Sequence, residues 1–424
     1  MSPRRLGAAL GTLCWVLALV GAAPAARAAF DDPLAVIRPV PPPAGSPRVP
    51  PPEGDLEAPC GIAVDEDGDF HVAEYYRNAI DVFGSALKST YPYGYKGQAT
   101  GIADPLGGPC TLAFDADGGL YVNDFHRSVL RYDSSLSAGT ALSGAGTADG
   151  ARPTGVAVDQ GSGAVYVNQR TQIAVFSSVG APIRTLGAGS LLDGYGVAVS
   201  EYPSTEGLLY VADAATDTVK VYAPEPLSSE AGPVAEIDGS ATPLGHFVSL
   251  RDAAIAIDRE NGQVYVSDNL QPEYAERPET VVHVFDAGGG YLGRLKYSVS
   301  NAVPPGLAVD NSETPTQGRV YLTSGNTMRA AIYAYPSGAA TTSAVPLPSL
   351  ATTGAGSGSS ERPDSEAALV GPPRLLPPAP TYLPAPASAA KGAGPGGKPA
   401  KRRQARHKAE KHHPRHRAGR RAER

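Results

Sequence analysis

One pattern recurs six times along the chain: Cys60-Gly61-Ile62-Ala63-Val64-Asp65, Cys110-Thr111-Leu112-Ala113-Phe114-Asp115, Thr154-Gly155-Val156-Ala157-Val158-Asp159, Tyr195-Gly196-Val197-Ala198-Val199-Ser200, Ala253-Ala254-Ile255-Ala256-Ile257-Asp258 and Pro305-Gly306-Leu307-Ala308-Val309-Asp310. The central alanines lie 50, 44, 41, 58 and 52 residues apart, which is room for a small sheet but not for a domain. Each motif is followed by a glycine-bearing turn, such as Asp67-Gly68 or Asn261-Gly262, and then by a second apolar run. Those second runs are Phe70 to Ala73, Leu120 to Asn123, Val165 to Asn168, Leu209 to Ala212, Val264 to Ser267 and Val320 to Thr323. A third run in each unit ends in an aromatic: Phe83, Tyr132, Phe176, Tyr222, Phe285 and Tyr335.

The first run of each unit is short and nearly all apolar, the signature of a strand buried on both faces. The others are rich in Val, Ile, Tyr and Phe, and an Asp-Gly or Asn-Gly turn joins first to second as a hairpin. One such unit cannot bury both faces of its own sheet. Six packed radially around an axis can, and the arrangement leaves few strand edges exposed. The sequence therefore predicts an all-β chain, a six-bladed β-propeller over residues 58–336. A β-sandwich accounts for the strand content but not for six recurrences of one motif. The last unit runs into Pro336-Ser337-Gly338, so its outer strand is expected from the Pro-rich segment 29–57, with Leu34 to Ile37 the best candidate.

From Pro59 to Phe83 the chain resembles an NHL repeat: a proline, a glycine, an apolar triplet ending in Asp, a glycine turn, a second strand ending in an acidic residue, and an aromatic-ended strand. The resemblance covers about residues 57 to 336. It implies a propeller, and it is poor in function, because such propellers include binding platforms, lyases and lactonase-like relatives. Ser200 departs from it in place of the first Asp, and so do Gln169 and Ser324 in place of the second.

No motif names a reaction. Asp65, Asp67 and Asp69 resemble the start of a calcium loop, but Gly68 stands fourth rather than sixth and Tyr76 stands where a bidentate Glu is needed, so a hairpin turn explains them better. The ends of the second strands, Glu74, Asp124, Gln169, Asp213, Asp268 and Ser324, should lie together at one rim. There they either ligate a cation or cap their own turns. Capping is favoured, because one residue type repeating is not a set of unlike groups converging. The loops that follow vary more and bring aromatics and guanidiniums to the same rim: Tyr75, Tyr76 and Arg77, then Phe125, His126 and Arg127, then Arg170, then Tyr274, Glu276 and Arg277. This rim is the expected binding surface, for a protein or carbohydrate ligand. The four histidines before the tail, His71, His126, His246 and His283, occupy four different places in the repeat and do not suggest a shared site.

Residues 1–28 have the layout of a secretory signal: Arg4-Arg5, an apolar run from Leu6 to Ala23, and the small-residue triplet Ala26-Arg27-Ala28. The product is thus expected to be secreted, extracellular or held at the cell envelope. In that setting Cys60 and Cys110, which hold equivalent places in neighbouring units, either bridge or stay as two buried thiols. Bridging requires their strands to stand within about 7 Å of the axis. The net charge of −6 hides an asymmetry, since residues 391–424 carry 13 Lys+Arg against 2 Asp+Glu. Residues 337–390 read as a low-complexity linker, and 391–424 as a basic disordered tail suited to an anionic envelope polymer or membrane surface. The last 34 residues contain no aromatic, which argues against nucleic acid.

The leading expectation is a non-enzymatic binding platform without a cofactor, retained at the envelope by its tail. The alternative is a lyase or lactonase-like hydrolase with a divalent cation such as calcium or zinc near the channel mouth, for which Glu74, Asp124, His126 and Asp213 would have to point at one ion.

Overall fold

The structure, a computed structural model, describes most residues between 28 and 341, apart from 39–53 and shorter stretches that include 100–106, 126, 271–278 and 326–330. Nearly all of the signal segment and of the linker, and all of the basic tail, lie outside the described residues. Among those described, no helix is long and apolar enough to cross a membrane.

Six antiparallel sheets form the blades. Blade one runs Pro59–Val64, Phe70–Glu74, Ala79–Phe83 and Tyr95–Gln98 from the axis outward. Blades two, three and four repeat this order from Pro109, Gly155 and Gly194. Blade five, Ile255–Ile257 to Tyr291–Arg294, is extended at its outer edge by Ala28–Phe30 and Ala340–Thr341. In blade six the fourth strand is Ala35–Ile37, antiparallel to Ala331–Tyr335 with Ala35 opposite Ala334 and Ile37 opposite Ile332. The N-terminal segment thus closes the ring.

The repeated Asp shapes the hairpin turn in five blades, and Ser200 stands in its place in blade four, accepting from the N–H of Tyr202 at 3.3 Å. Asp65 Oδ1 accepts the N–H groups of Asp67 at 3.1 Å and Asp69 at 2.9 Å. Asp115 does the same for Asp117 and Gly119. Asp159, Asp258 and Asp310 each hold the N–H two residues on. These are Asx turns, which draw the carboxylate to the backbone rather than to a cation.

The core is six clusters, one between each pair of neighbouring blades. Alternation along the first strand decides which cluster each residue joins. Ile62 packs back toward blade six while Ala63 packs forward toward blade two. Val156 and Val158 likewise face blade two and Ala157 faces blade four. The recurring alanine is the small residue on the forward face, where sheets crowd toward the axis.

The glycine before it is set by the same crowding. A Cβ on Gly61 would sit 1.5 Å from the carbonyl oxygen of Cys110 in the next blade. On Gly155, Gly196 and Gly306 it would sit 2.8, 2.5 and 2.6 Å from the oxygens of Tyr195, Ala253 and Cys60. At this end neighbouring first strands touch backbone to backbone. Cys60 and Cys110 are disulfide-bonded there, with Cα atoms 4.8 Å apart. The ring is therefore narrow where the first strands begin and wider where they end.

Candidate functional site

Antiparallel pairing places Glu74 opposite Pro59 and Asp213 opposite Gly194, so the second-strand ends lie at the narrow end. Glu74, Asp124, Asp213 and Asp268 are all fully buried. Their oxygens accept from the segment that leads into their own blade's first strand. Glu74 Oε2 holds the N–H of Glu57, and Asp124 Oδ2 that of Gly107. Asp213 holds Leu192 and Asp193 at 3.0 and 2.9 Å, and Asp268 holds Val248 and Ser249 at 3.0 and 2.9 Å. Each carboxylate fastens one incoming loop, and the four belong to four separate blades.

These carboxylates do not fit a shared divalent cation. Glu74 Oε2, Asp124 Oδ2 and the oxygens of Asp213 and Asp268 are turned to donors of their own blades, Glu74 Oε1 is buried without a partner, and among the described residues no three or more His, Cys, Asp or Glu side chains come together as a metal-binding group. His126 lies outside the described residues. His71 and His283 are in separate blades, with Nε2 2.9 Å from Asp65 Oδ2 and 3.4 Å from Asp268 Oδ2.

Equivalent places carry opposite electrostatics. Burial, reinforced by nearby Asp81, pushes the Glu74 carboxyl well above the usual carboxylate range. Burial would raise Asp213 too, but Lys220 Nζ at 2.6 Å and the backbone N–H groups of Leu192, Asp193 and Ala215 hold it below that range.

The narrow-end loops bring two groups of side chains together. Between blades one and two, Tyr75 meets Tyr76 edge-on with ring centres 5.2 Å apart and lies 6.5 Å from Phe125. Arg77 turns inward instead, donating to buried Asp81 at 2.8 Å, and Arg127 packs its stem beside Gly107. The second group comes from blades three, four and five. Arg170 lies over the ring of Tyr195, 5.3 Å from its centre, and pairs with Asp193. Arg251 Nε donates to the Tyr195 hydroxyl at 3.2 Å. Burial raises the carboxyl of neighbouring Asp252, against the pull of Arg251 and Arg170. Arg170 and Asp252 have φ of 71° and 58°, a left-handed conformation that costs non-glycine residues about 1 kcal/mol or more. Asp193, Tyr195, Arg251 and Asp252 escaped sequence reasoning, although their place just before the repeated apolar triplets could have drawn attention.

At the wide end the first strands splay around a cavity of about 630 Å³. Each blade contributes apolar wall: Ile62, Leu112, Val156, Val197, Ile257 and Leu307. The residue after each repeated Asp or Ser forms the mouth, and here the repeat gives six positions with five residue types: Glu66, Ala116, Gln160, Glu201, Arg259 and Asn311. Gln160 donates to Phe114 O at 2.8 Å and Asn311 to Ile257 O at 3.0 Å, each reaching the preceding blade. Burial raises the Glu201 carboxyl, with Arg259 opposing.

No family model matches the chain and no curated protein matches it, so the likeness to NHL repeats stays one of motifs. Among solved structures the chain is similar to a gluconolactonase from Xanthomonas campestris, at 17% identity over 67% of this chain and 88% of that one, with a TM-score of 0.46. It is similar also to a streptogramin B lyase, at 11% identity over 65% and 93% with a TM-score of 0.41. A chain of a nidogen/laminin complex is similar at 19% identity over 58% and 82%, with a TM-score of 0.40. Likenesses this distant do not carry an activity from those proteins to this one.

Proposed function

We propose that this propeller is a binding protein that receives a protein or carbohydrate partner at its narrow end. The observation that supports this reading is the convergence of unlike groups from three blades: Arg170 over the ring of Tyr195 and Arg251 at its hydroxyl, near Asp193 and Asp252. Tyrosine and arginine give large contact areas with directed hydrogen bonds, the side chains most often found to dominate binding energy. The test is retention of isolated surface polysaccharide and of purified secreted proteins by the immobilised chain and by an Arg170→Ala/Arg251→Ala variant. A partner held by the parent and lost by the variant supports the reading, and equal retention by both rejects it.

A second reading, a hydrolase or lyase of the lactonase-like kind, draws on Asp252. A carboxyl raised by burial beside two guanidiniums is the kind of group used for general acid–base work. Hydrolysis of an aldonolactone panel, abolished by Asp252→Asn, is its test, and turnover no faster than buffer alone rejects it. Export through residues 1–28 and envelope retention through residues 391–424 complete the proposal, on the signal layout of the first and the charge of the second. Retention at envelopes should weaken with salt and disappear when the tail is deleted, and salt-indifferent binding contradicts it.

A further inference from the structure

The wide-end cavity is independent of the narrow-end surface and has a different chemistry. Each blade lends it an apolar side chain, between more polar groups that line the rest of the accessible surface. Its lining residues include six carboxylates, Asp65, Glu66, Asp67, Asp115, Glu201 and Glu313, against one guanidinium, Arg259. Two of these are occupied: Asp65 by its own turn and His71, Asp115 by its turn and Arg131. Glu66, Asp67 and Glu313 are exposed at the mouth, on adjoining blades one and six, and Glu201 is half-buried across the ring in blade four. Arg259 lies 3.5 Å from Glu313, so the one lining cation is already partly countered.

The backbone adds acceptors. Every first strand is the terminal strand of its sheet, so one edge of each has no strand partner and lies toward the axis. The amides of Gln160 and Asn311 reach two of those edge carbonyls, those of Phe114 and Ile257. The rest of that edge requires water or a ligand, since buried backbone groups do not stay unpaired. A cleft whose mouth carries a large excess of one sign of charge concentrates the field there, and here four carboxylates face one guanidinium. A neutral apolar molecule would leave that field unused, and a small hydrated cation would leave the wall unused.

We propose that the wide end is a binding site for an amphipathic organic cation, with an apolar body against the inner strands and its positive charge among Glu66, Asp67, Glu201 and Glu313. A volume of about 630 Å³ suits a drug-sized molecule that carries both apolar and polar parts.

The test uses the full chain and two probes of similar shape, tetraphenylphosphonium and neutral triphenylphosphine oxide, in equilibrium dialysis at low salt. The phosphonium ion should bind one per chain, at least about tenfold more tightly than the neutral oxide. A Glu66→Gln/Asp67→Asn/Glu313→Gln variant should bring the two probes within about threefold of each other, because the exposed mouth carboxylates carry the discrimination. Ala116→Trp, a bulky substitution at an exposed mouth position, should weaken the phosphonium at least about tenfold by blocking entry. Equal affinity for the two probes, or no saturable binding, overturns the proposal. Phosphonium binding that ignores both variants overturns its location.

Discussion

The two ends of the ring are made of the same strands and hold together differently. At the narrow end the contact is backbone against backbone: Gly61, Gly155, Gly196 and Gly306 press on carbonyls of the next blade, a disulfide joins Cys60 to Cys110, and buried carboxylates fasten the incoming loops. At the wide end the strands part, and Glu66, Ala116, Gln160, Glu201, Arg259 and Asn311 vary freely in type. In this propeller the recurring positions of the repeat build the ring, and side-chain variety collects where the repeat stops repeating.

The sharpest way to break that contrast is Gly61→Val. The new side chain would overlap the Cys110 carbonyl, which cannot yield without parting blades one and two, so the loss should exceed the usual overpacking penalty and reach about 4 kcal/mol or more in urea unfolding. Next comes Asp213→Asn, which leaves Lys220 buried without its counter-charge and should cost about 3–5 kcal/mol. Replacing Cys60 and Cys110 by Ser removes a cross-link between residues 50 apart and should cost about 2–4 kcal/mol.

The smallest effect sharpens the comparison within the narrow end itself. Asp213 is held below the usual range in the folded state, so its contribution is present near neutral pH and is lost as pH falls through the folded value. Glu74 is raised, so its contribution is full below the unfolded carboxyl value and declines as pH rises through the folded one. Glu74→Gln should therefore change stability by less than about 1 kcal/mol at acidic pH and flatten the decline toward alkaline pH. Melting temperatures from pH 4 to 9 for both single variants check this; a parallel pH profile for Glu74→Gln and the parent contradicts it.

The blades were legible because their determinants are local. Asp65 and Gly68 specify a turn, Ile62-Ala63-Val64 specifies a doubly buried strand, and six copies specify a ring. The rim carboxylates were legible as structural residues but not in their duty: the repeat suggested caps on their own turns, whereas Glu74, Asp124, Asp213 and Asp268 fasten the loop that enters their blade, and Asp213 also holds the N–H of Ala215 in its own turn. The group around Tyr195 was not legible. Arg170, Tyr195 and Arg251 are far apart in the chain, and only the turn from blade three to blade five brings them together. The wide-end mouth was hidden for a related reason: Glu66 and Glu201 look like turn residues until the splay of the strands opens a cavity behind them. His126 and the loop with Tyr274, Glu276 and Arg277 lie outside the described residues.

The most direct measurement compares the two ends of a single strand. Gly196 and Glu201 flank Val197 and Val199 in blade four, and a Cβ on Gly196 would meet the Ala253 oxygen at 2.5 Å. Urea unfolding of Gly196→Ala should show a loss of at least about 2 kcal/mol, whereas Glu201→Ala should stay within about 0.5 kcal/mol of the parent. Equal losses, or a larger loss for Glu201→Ala, would contradict a ring held together at its narrow end and free to vary in sequence at its wide one.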